Sequence, residues 1–151
     1  MSTTPSSKPK PQGSSIIFLN TAHHVLLCLR DDKDTIPFPN QWDLLGGGLE
    51  PGETPLQCIV REMREEIEFE LRDPIFFKSY DLADRVEHLF WQHSNLEIAT
   101  TPLHEGQRLR WFSEQEIRAM RPDELAFAFR DLLVDFYNEC PFATQGPRTT
   151  R

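Results

Sequence analysis

Residues 46–69 read GGGLEPGETPLQCIVREMREEIEF: three glycines, a Pro–Gly turn, then a helix signal. Thr54–Pro55–Leu56–Gln57 has an N-capping Thr, Pro at the first helical position and Gln three residues after the cap. From a start near Pro55, successive side chains rotate by about 100°. With Glu62 set at zero, Ile59, Met63, Leu56, Ile67 and Val60 fall between about 60° and 160°, a stripe suited to a core. Glu62 and Glu66 lie at its edge, near about 0° and 40°, and Glu65 near about 300°. Three carboxylates thus share one flank. Like charges at these spacings destabilise a helix by about 0.2–0.5 kcal/mol per pair. Arg61, one turn before Glu65, offsets part of this. A hard cation such as Mg²⁺ or Mn²⁺ relieves it directly, since such ions prefer carboxylate oxygen. An isolated E-x-x-E-E reads most simply as a solvated face. The glycine loop ahead of it changes the weight, because Gly46, Gly47, Gly48 and Gly52 let backbone N–H groups approach a ligand closely. Phosphate and metal would then sit side by side.

Outward from this stretch, Ser15–Leu19 (SIIFL) and Val25–Arg30 (VLLCLR) read as short strands joined by a polar turn. Asp31–Gln41 is a proline-bearing loop, and Trp42–Leu45 a short apolar piece entering the glycines. Pro74–Tyr80, Val86–Gln92 and Leu109–Phe112 are further strand candidates. Ser113–Glu116 is a second capping box, and Asp123–Tyr137 repeats apolar residues at helical spacing. This mixture predicts an α/β fold with helices packed on a sheet.

The chain has 151 residues and a formal net charge of −8, which suits one domain. The expected organisation is a flexible tail over 1–13, a domain over 14–140 and a second tail over 141–151, the tails being rich in Pro and small polar residues. Both tails are basic, so the body holds 12 basic against 24 acidic residues. That balance argues against a sequence-independent grip on a nucleic-acid polymer. No apolar run approaches the ~20 residues of a membrane span, and the first residues lack the apolar stretch of a signal peptide. Cys28, Cys58 and Cys140 show neither disulfide density nor metal spacing, which fits a reducing cytoplasm.

From Gly47 the chain resembles the Nudix box, Gly-x5-Glu-x7-Arg-Glu-U-x-Glu-Glu-x-Gly-U, where U is a bulky aliphatic residue. Glu53 follows Gly47 at the required gap; then come Arg61 and Glu62, Met63 as U, and Glu65–Glu66. Phe69 takes the last U position. Glu68 departs, standing where the family has Gly. A left-handed residue there would cost roughly 1–2 kcal/mol, so the helix is expected to run a residue or more further instead. Glu105–Gly106–Gln107, with Trp111 and Ser113, resembles a stretch of the MutT-type branch.

The resemblance implies an α/β/α sandwich around a mixed sheet and an Mg²⁺- or Mn²⁺-dependent hydrolase of a nucleoside diphosphate linked to another moiety. By position, Glu62, Glu65 and Glu66 match metal ligands or a metal-associated base, Glu53 a supporting acid, and Arg61 the residue that orients the glutamates. Gly47 matches a loop residue whose carbonyl joins the metal, with Gly46 beside it. Glu105 matches an acid opposite the metal-binding helix. Arg30, at the end of a strand, is a candidate for a phosphate. Trp42 is a candidate for a base, its core role being the blander reading. The expected partner is a small nucleotide, the chain being a monomer or homodimer. Nucleoside triphosphates, nucleotide sugars and ADP-ribose all stay open as substrates, and a non-catalytic nucleotide-binding module is the alternative of another class.

Overall fold

Ile16, Ile17, Phe18 and Leu19 are all fully buried, yet they serve two different cores. Side chains alternate across a strand. Ile17 and Leu19 join Val25, Leu27, Trp91, Leu133 and Phe136 on one face. Ile16 and Phe18 join Leu26, Ile59, Met63 and Ile67 on the other. An unbroken apolar run is what a strand covered on both faces requires. The computed structural model describes residues 9–145.

Seven strands form one sheet: β1 (Gln12–Leu19), β2 (Val25–Leu29), β3 (Trp42–Asp43), β4 (Leu45–Gly48), β5 (Ile75–Asp81), β6 (Val86–His93) and β7 (Arg108–Phe112). The order runs β3-β2-β1-β6-β5, with β4 also on β1 and β7 on β2. β1 and β6 are parallel, Gln12 opposite Val86, and the other pairs are antiparallel. Helix α1 (Pro55–Ile67) covers one face; α2 (Glu114–Ala119) and α3 (Phe129–Glu139) cover the other. This is the expected α/β/α arrangement with a mixed sheet. No helix among the described residues is long and apolar enough to cross a membrane.

Four expectations change. Leu56 lies outside the buried stripe of α1 and is 47% exposed. The helix expected over 123–137 begins only at Phe129. Leu125 instead bridges Trp42, Ala126 N–H donates to the Trp42 carbonyl, and Phe127 turns left-handed at φ 58°. The apolar spacing that continues back from Phe129 to Leu125 falls in a loop whose backbone bonds at 125–126 go to a strand. Residues 10–13 are not a tail: Val86 N–H donates to the Pro11 carbonyl and Leu49 N–H to that of Gln12. Backbone bonding to β4 and β6 is indifferent to polar composition, so sequence could not exclude it. At the other end, Pro141–Gln145 forms a short helix, α4, and Phe142 is buried against Phe136 and Tyr137. The remaining tail residues, 1–8 and 146–151, lie outside the described residues.

Candidate active site

Helix α1 starts as its sequence demands. Thr54 and Gln57 cap each other reciprocally, with Pro55 in the first turn. The helix ends at Glu68, which takes the left-handed conformation (φ 53°, ψ 41°) rather than continuing the helix. This corrects the expected extension. The Glu68 carboxylate meets His104 Nε2 at 2.5 Å, and its own N–H donates to the Arg64 carbonyl.

Arg61 ties the glycine loop to the helix. Nε and Nη2 donate to the two Glu53 oxygens at 2.7 and 2.9 Å, a bidentate pair. Nη2 also donates to the Gly48 carbonyl at 3.0 Å. Nη1 reaches Glu62 at 3.0 Å and Glu65 at 3.1 Å. The Arg61 hydrogen bond, helped by the Glu50 N–H, lowers the Glu53 pKa to about 2. Glu53 therefore anchors Arg61. Glu65 is 59% exposed and outside the cleft that Glu62 and Glu66 line. It meets Glu62 through Arg61, whose Nη1 donates to both carboxylates.

That cleft, about 690 Å³, is walled by Gly46, Gly47, Glu62, Glu66, Glu105 and Arg30. Gly47 is needed for close approach: a Cβ there would collide with the Glu62 carboxyl group. Glu105 comes from the loop before β7. His104 N–H donates to the Glu66 carbonyl at 2.9 Å, and the Cys28 thiol donates to the Glu105 carbonyl at 3.7 Å. Gly106, at φ 96°, lies so close to Cys28 that a Cβ would strike its sulfur. Burial pushes the Cys28 thiol up to about 12, so it is an inert packing group here.

Glu66 is held far above the ordinary carboxylate range. Burial is the main cause, followed by its hydrogen bond to Glu62 and the charges of Glu62, Glu105 and Asp43. Two carboxyl groups this close share a proton unless a cation takes its place. Among the described residues no three His, Cys, Asp or Glu side chains stand ready to hold a metal ion as they are. The arrangement explains this, since Arg61 holds Glu62 and Glu65 towards itself. The donor set is nonetheless all oxygen, and the upward shift of Glu66 reflects the negative charge of Glu62, Glu105 and Asp43 gathered around it as well as burial. These residues fit a hard divalent cation.

Arg30 lies in the cleft wall with Nη1 on Asp43 Oδ2 at 2.8 Å. Trp42 does not line the cleft. It packs edge-on against Phe112, with Arg108 5.1 Å over its ring, so its place is in the core layer. Sequence reading passed over Asp43 and Arg85. Burial pushes the Asp43 carboxyl up to about 6 despite Arg30. Arg85 reaches buried Glu87. The available signal was a charged residue inside or beside a strand otherwise committed to a core.

The NUDIX domain model matches residues 9–135, and the chain belongs to the Nudix family. It is 35% identical over 77 residues to the CTP pyrophosphohydrolase of Escherichia coli (strain K12), covering 50% of this chain and 57% of that protein. It is 29% identical over 108 residues to the RNA pyrophosphohydrolase of Rickettsia peacockii (strain Rustic), covering 69% and 59%. The chain thus spans little more than half the length of these curated relatives. The solution structure of the E. coli ORF135 protein superposes with a TM-score of 0.64 at 27% identity, covering 99% of this chain and 100% of that one.

Proposed function

We propose that this chain is a divalent-metal-dependent hydrolase that cleaves a phosphoanhydride bond in a small nucleotide. The observation that carries the reading is the convergence of Glu62, Glu66 and Glu105, from a helix and a separate loop, on a cleft lined by Gly46 and Gly47. Glu62, Glu66, Glu105 and the Gly47 carbonyl would hold Mg²⁺ or Mn²⁺, which when bound neutralises phosphate charge and acidifies water.

The chain's own residues supply the rest. Arg61 fixes the loop to α1 through Glu53 and Gly48, so that Gly47 and Glu62 keep their spacing. Burial and the neighbouring Glu62 push the Glu66 pKa upward in the free protein, and Glu66 acts as a ligand or base in its ionised form. Glu105 lines the cleft from the loop before β7, and in this reading its carboxylate accepts the proton of an attacking water. Arg30 and Lys33 bring the positive charge that lines the cleft, suited to the far phosphates. The names of the relatives support a nucleotide substrate and leave its kind open.

The test is release of phosphate or pyrophosphate from a panel with Mg²⁺. Nucleoside triphosphates, a nucleotide sugar, ADP-ribose and a 5′-triphosphorylated RNA form its arms. Turnover of at least one is expected, and Glu105→Gln should lower kcat by roughly 10²–10⁴. A folded chain that binds nucleotides and turns over none of them would instead be a binding module.

A further inference from the structure

Glu105 reaches the cleft from a loop whose two sides are fastened to different parts of the fold. On the C-terminal side the fastening is to β2 and the chain that follows it. Gln107 N–H donates to the Leu29 carbonyl at 2.8 Å, and Gln107 Nε2 donates to the Arg30 carbonyl at 2.7 Å and to Asn40 Oδ1 at 2.9 Å. Gly106 packs against Cys28 with no room for a side chain. On the N-terminal side the fastening is to the end of α1, through His104. Its N–H donates to the Glu66 carbonyl at 2.9 Å, and its Nε2 meets Glu68 Oε2 at 2.5 Å. An ionised carboxylate only accepts, so Nε2 carries the proton of that bond. β7 pairs with β2, so the sheet sets the place of the loop relative to β2. The contacts of His104 set it relative to α1.

Glu68 makes this contact against its own backbone preference. Its φ of 53° lies in the left-handed region that residues with a Cβ avoid. The Glu68 and His104 side chains are 58% and 56% exposed, and pairs this open to water add little to folding stability. A strained residue that adds little stability points to a role in function. The placing of the pair says which role. Glu68 lies two residues after Glu66, and His104 lies one before Glu105 and itself lines the cleft. The contact therefore joins the helix that carries Glu62 and Glu66 to the loop that carries Glu105, next to the carboxylates themselves.

We propose that Glu68 and His104 form a strap that positions Glu105 relative to Glu66, so that Glu68 is a positioning residue of the site and not a flaw at the end of α1. Neither side chain is asked to touch substrate or to exchange a proton. The assignment rests on the reading of the cleft given above, in which Glu105 serves the cation and the attacking water. It adds the pair that sets the distance between the two sides of the cleft.

The test uses the whole chain and needs no turnover. Amide hydrogen exchange is followed by NMR on metal-free protein, and Mn²⁺ affinity is measured by electron paramagnetic resonance. The proteins compared are the wild type, Glu68→Gly, Glu68→Gln and His104→Ala. In Glu68→Gly the His104 amide should lose protection while the Gln107 amide keeps it. Mn²⁺ should bind about tenfold more weakly to Glu68→Gly and to His104→Ala, the low end for losing a group that orients a ligand. Glu68→Gln keeps the left-handed backbone and an acceptor oxygen for Nε2, so its affinity should match the wild type. That match separates position from charge, because Gln lacks the charge of the carboxylate. If Glu68 acted only by drawing Mn²⁺ through its field, Glu68→Gln would weaken as Glu68→Gly does, and the assignment would fall. Unchanged exchange at His104, or equal Mn²⁺ affinity in wild type and Glu68→Gly, would overturn it as well. A chain that binds Mn²⁺ and shows the strap but turns over no nucleotide would sink the hydrolase reading alone. A chain that turns over nucleotide equally well with Glu68 or with Gly in its place would sink the strap alone.

Discussion

Glu66 couples chemistry to stability through one carboxyl group. Its pKa is raised in the folded state, so the stability it contributes is complete below the ordinary carboxylate range and is lost as pH rises through the folded value. Metal-free protein should therefore weaken on the alkaline side. Glu66→Gln mimics the protonated form. Turnover should fall to a small residue, while metal-free melting at pH 8 should rise above wild type and vary less with pH. A variant with full kcat and an unchanged pH–melting curve would remove Glu66 from the site. At this scale the sequence was legible where fixed spacing sets which side chains meet, as with Glu53, Arg61 and Glu62. Glu105 needed the family resemblance, since one acid in a loop carries no spacing signal. Asp43 and Arg85 were illegible because their meaning lies in which neighbours bury them, and those neighbours come from strands far apart in the chain.

Among the elements, α1 has separable faces. Met63 is fully buried mid-stripe, whereas Glu62 stands at the rim. Met63→Ala should cost about 2–5 kcal/mol through the cavity it opens, with activity surviving in proportion to folded protein. Normal melting of that variant would mean that the helix is turned from this orientation. The C-terminus gives the opposite sign. Glu68→Gly relieves a left-handed residue and forfeits only an exposed contact to His104, so stability should rise by about 1 kcal/mol, readable in urea denaturation. An unchanged or lower midpoint would show that the His104 contact outweighs the strain. Both capping boxes were legible, because a cap is a local bargain between residues three apart. The start of α3 was not. Its apolar period continues backwards through Leu125, but Trp42 claims the backbone of 125–126 for a bridge, and long-range bonding overrode local pattern.

For the molecule as a whole, metal and fold should be linked. A cation binding only the native state stabilises it by about 2.7 kcal/mol at a hundredfold excess over its Kd. Thermal curves in saturating Mg²⁺ should lie several degrees above those in chelator; superimposable curves would count heavily against the carboxylate site. The sandwich itself was readable, since apolar runs, alternating strands and amphipathic helices are composition laid out in order. The parallel pairing of β1 with β6 was not, because nothing local to Gln12 points to Val86. That pairing has a consequence for how the protein is made. On a ribosome adding about 5–20 residues per second, β1 emerges roughly 4–15 s before its parallel partner. During that interval the nascent chain holds a strand with two greasy faces and one unclaimed edge. β2 and β4, synthesised sooner, are the shields available, and α1 arrives in time to cover one side. The cleft can close only once the Glu105 loop has left the exit tunnel, and the core on the α3 face closes later still, because Leu133 and Phe136 follow Glu105 in the chain.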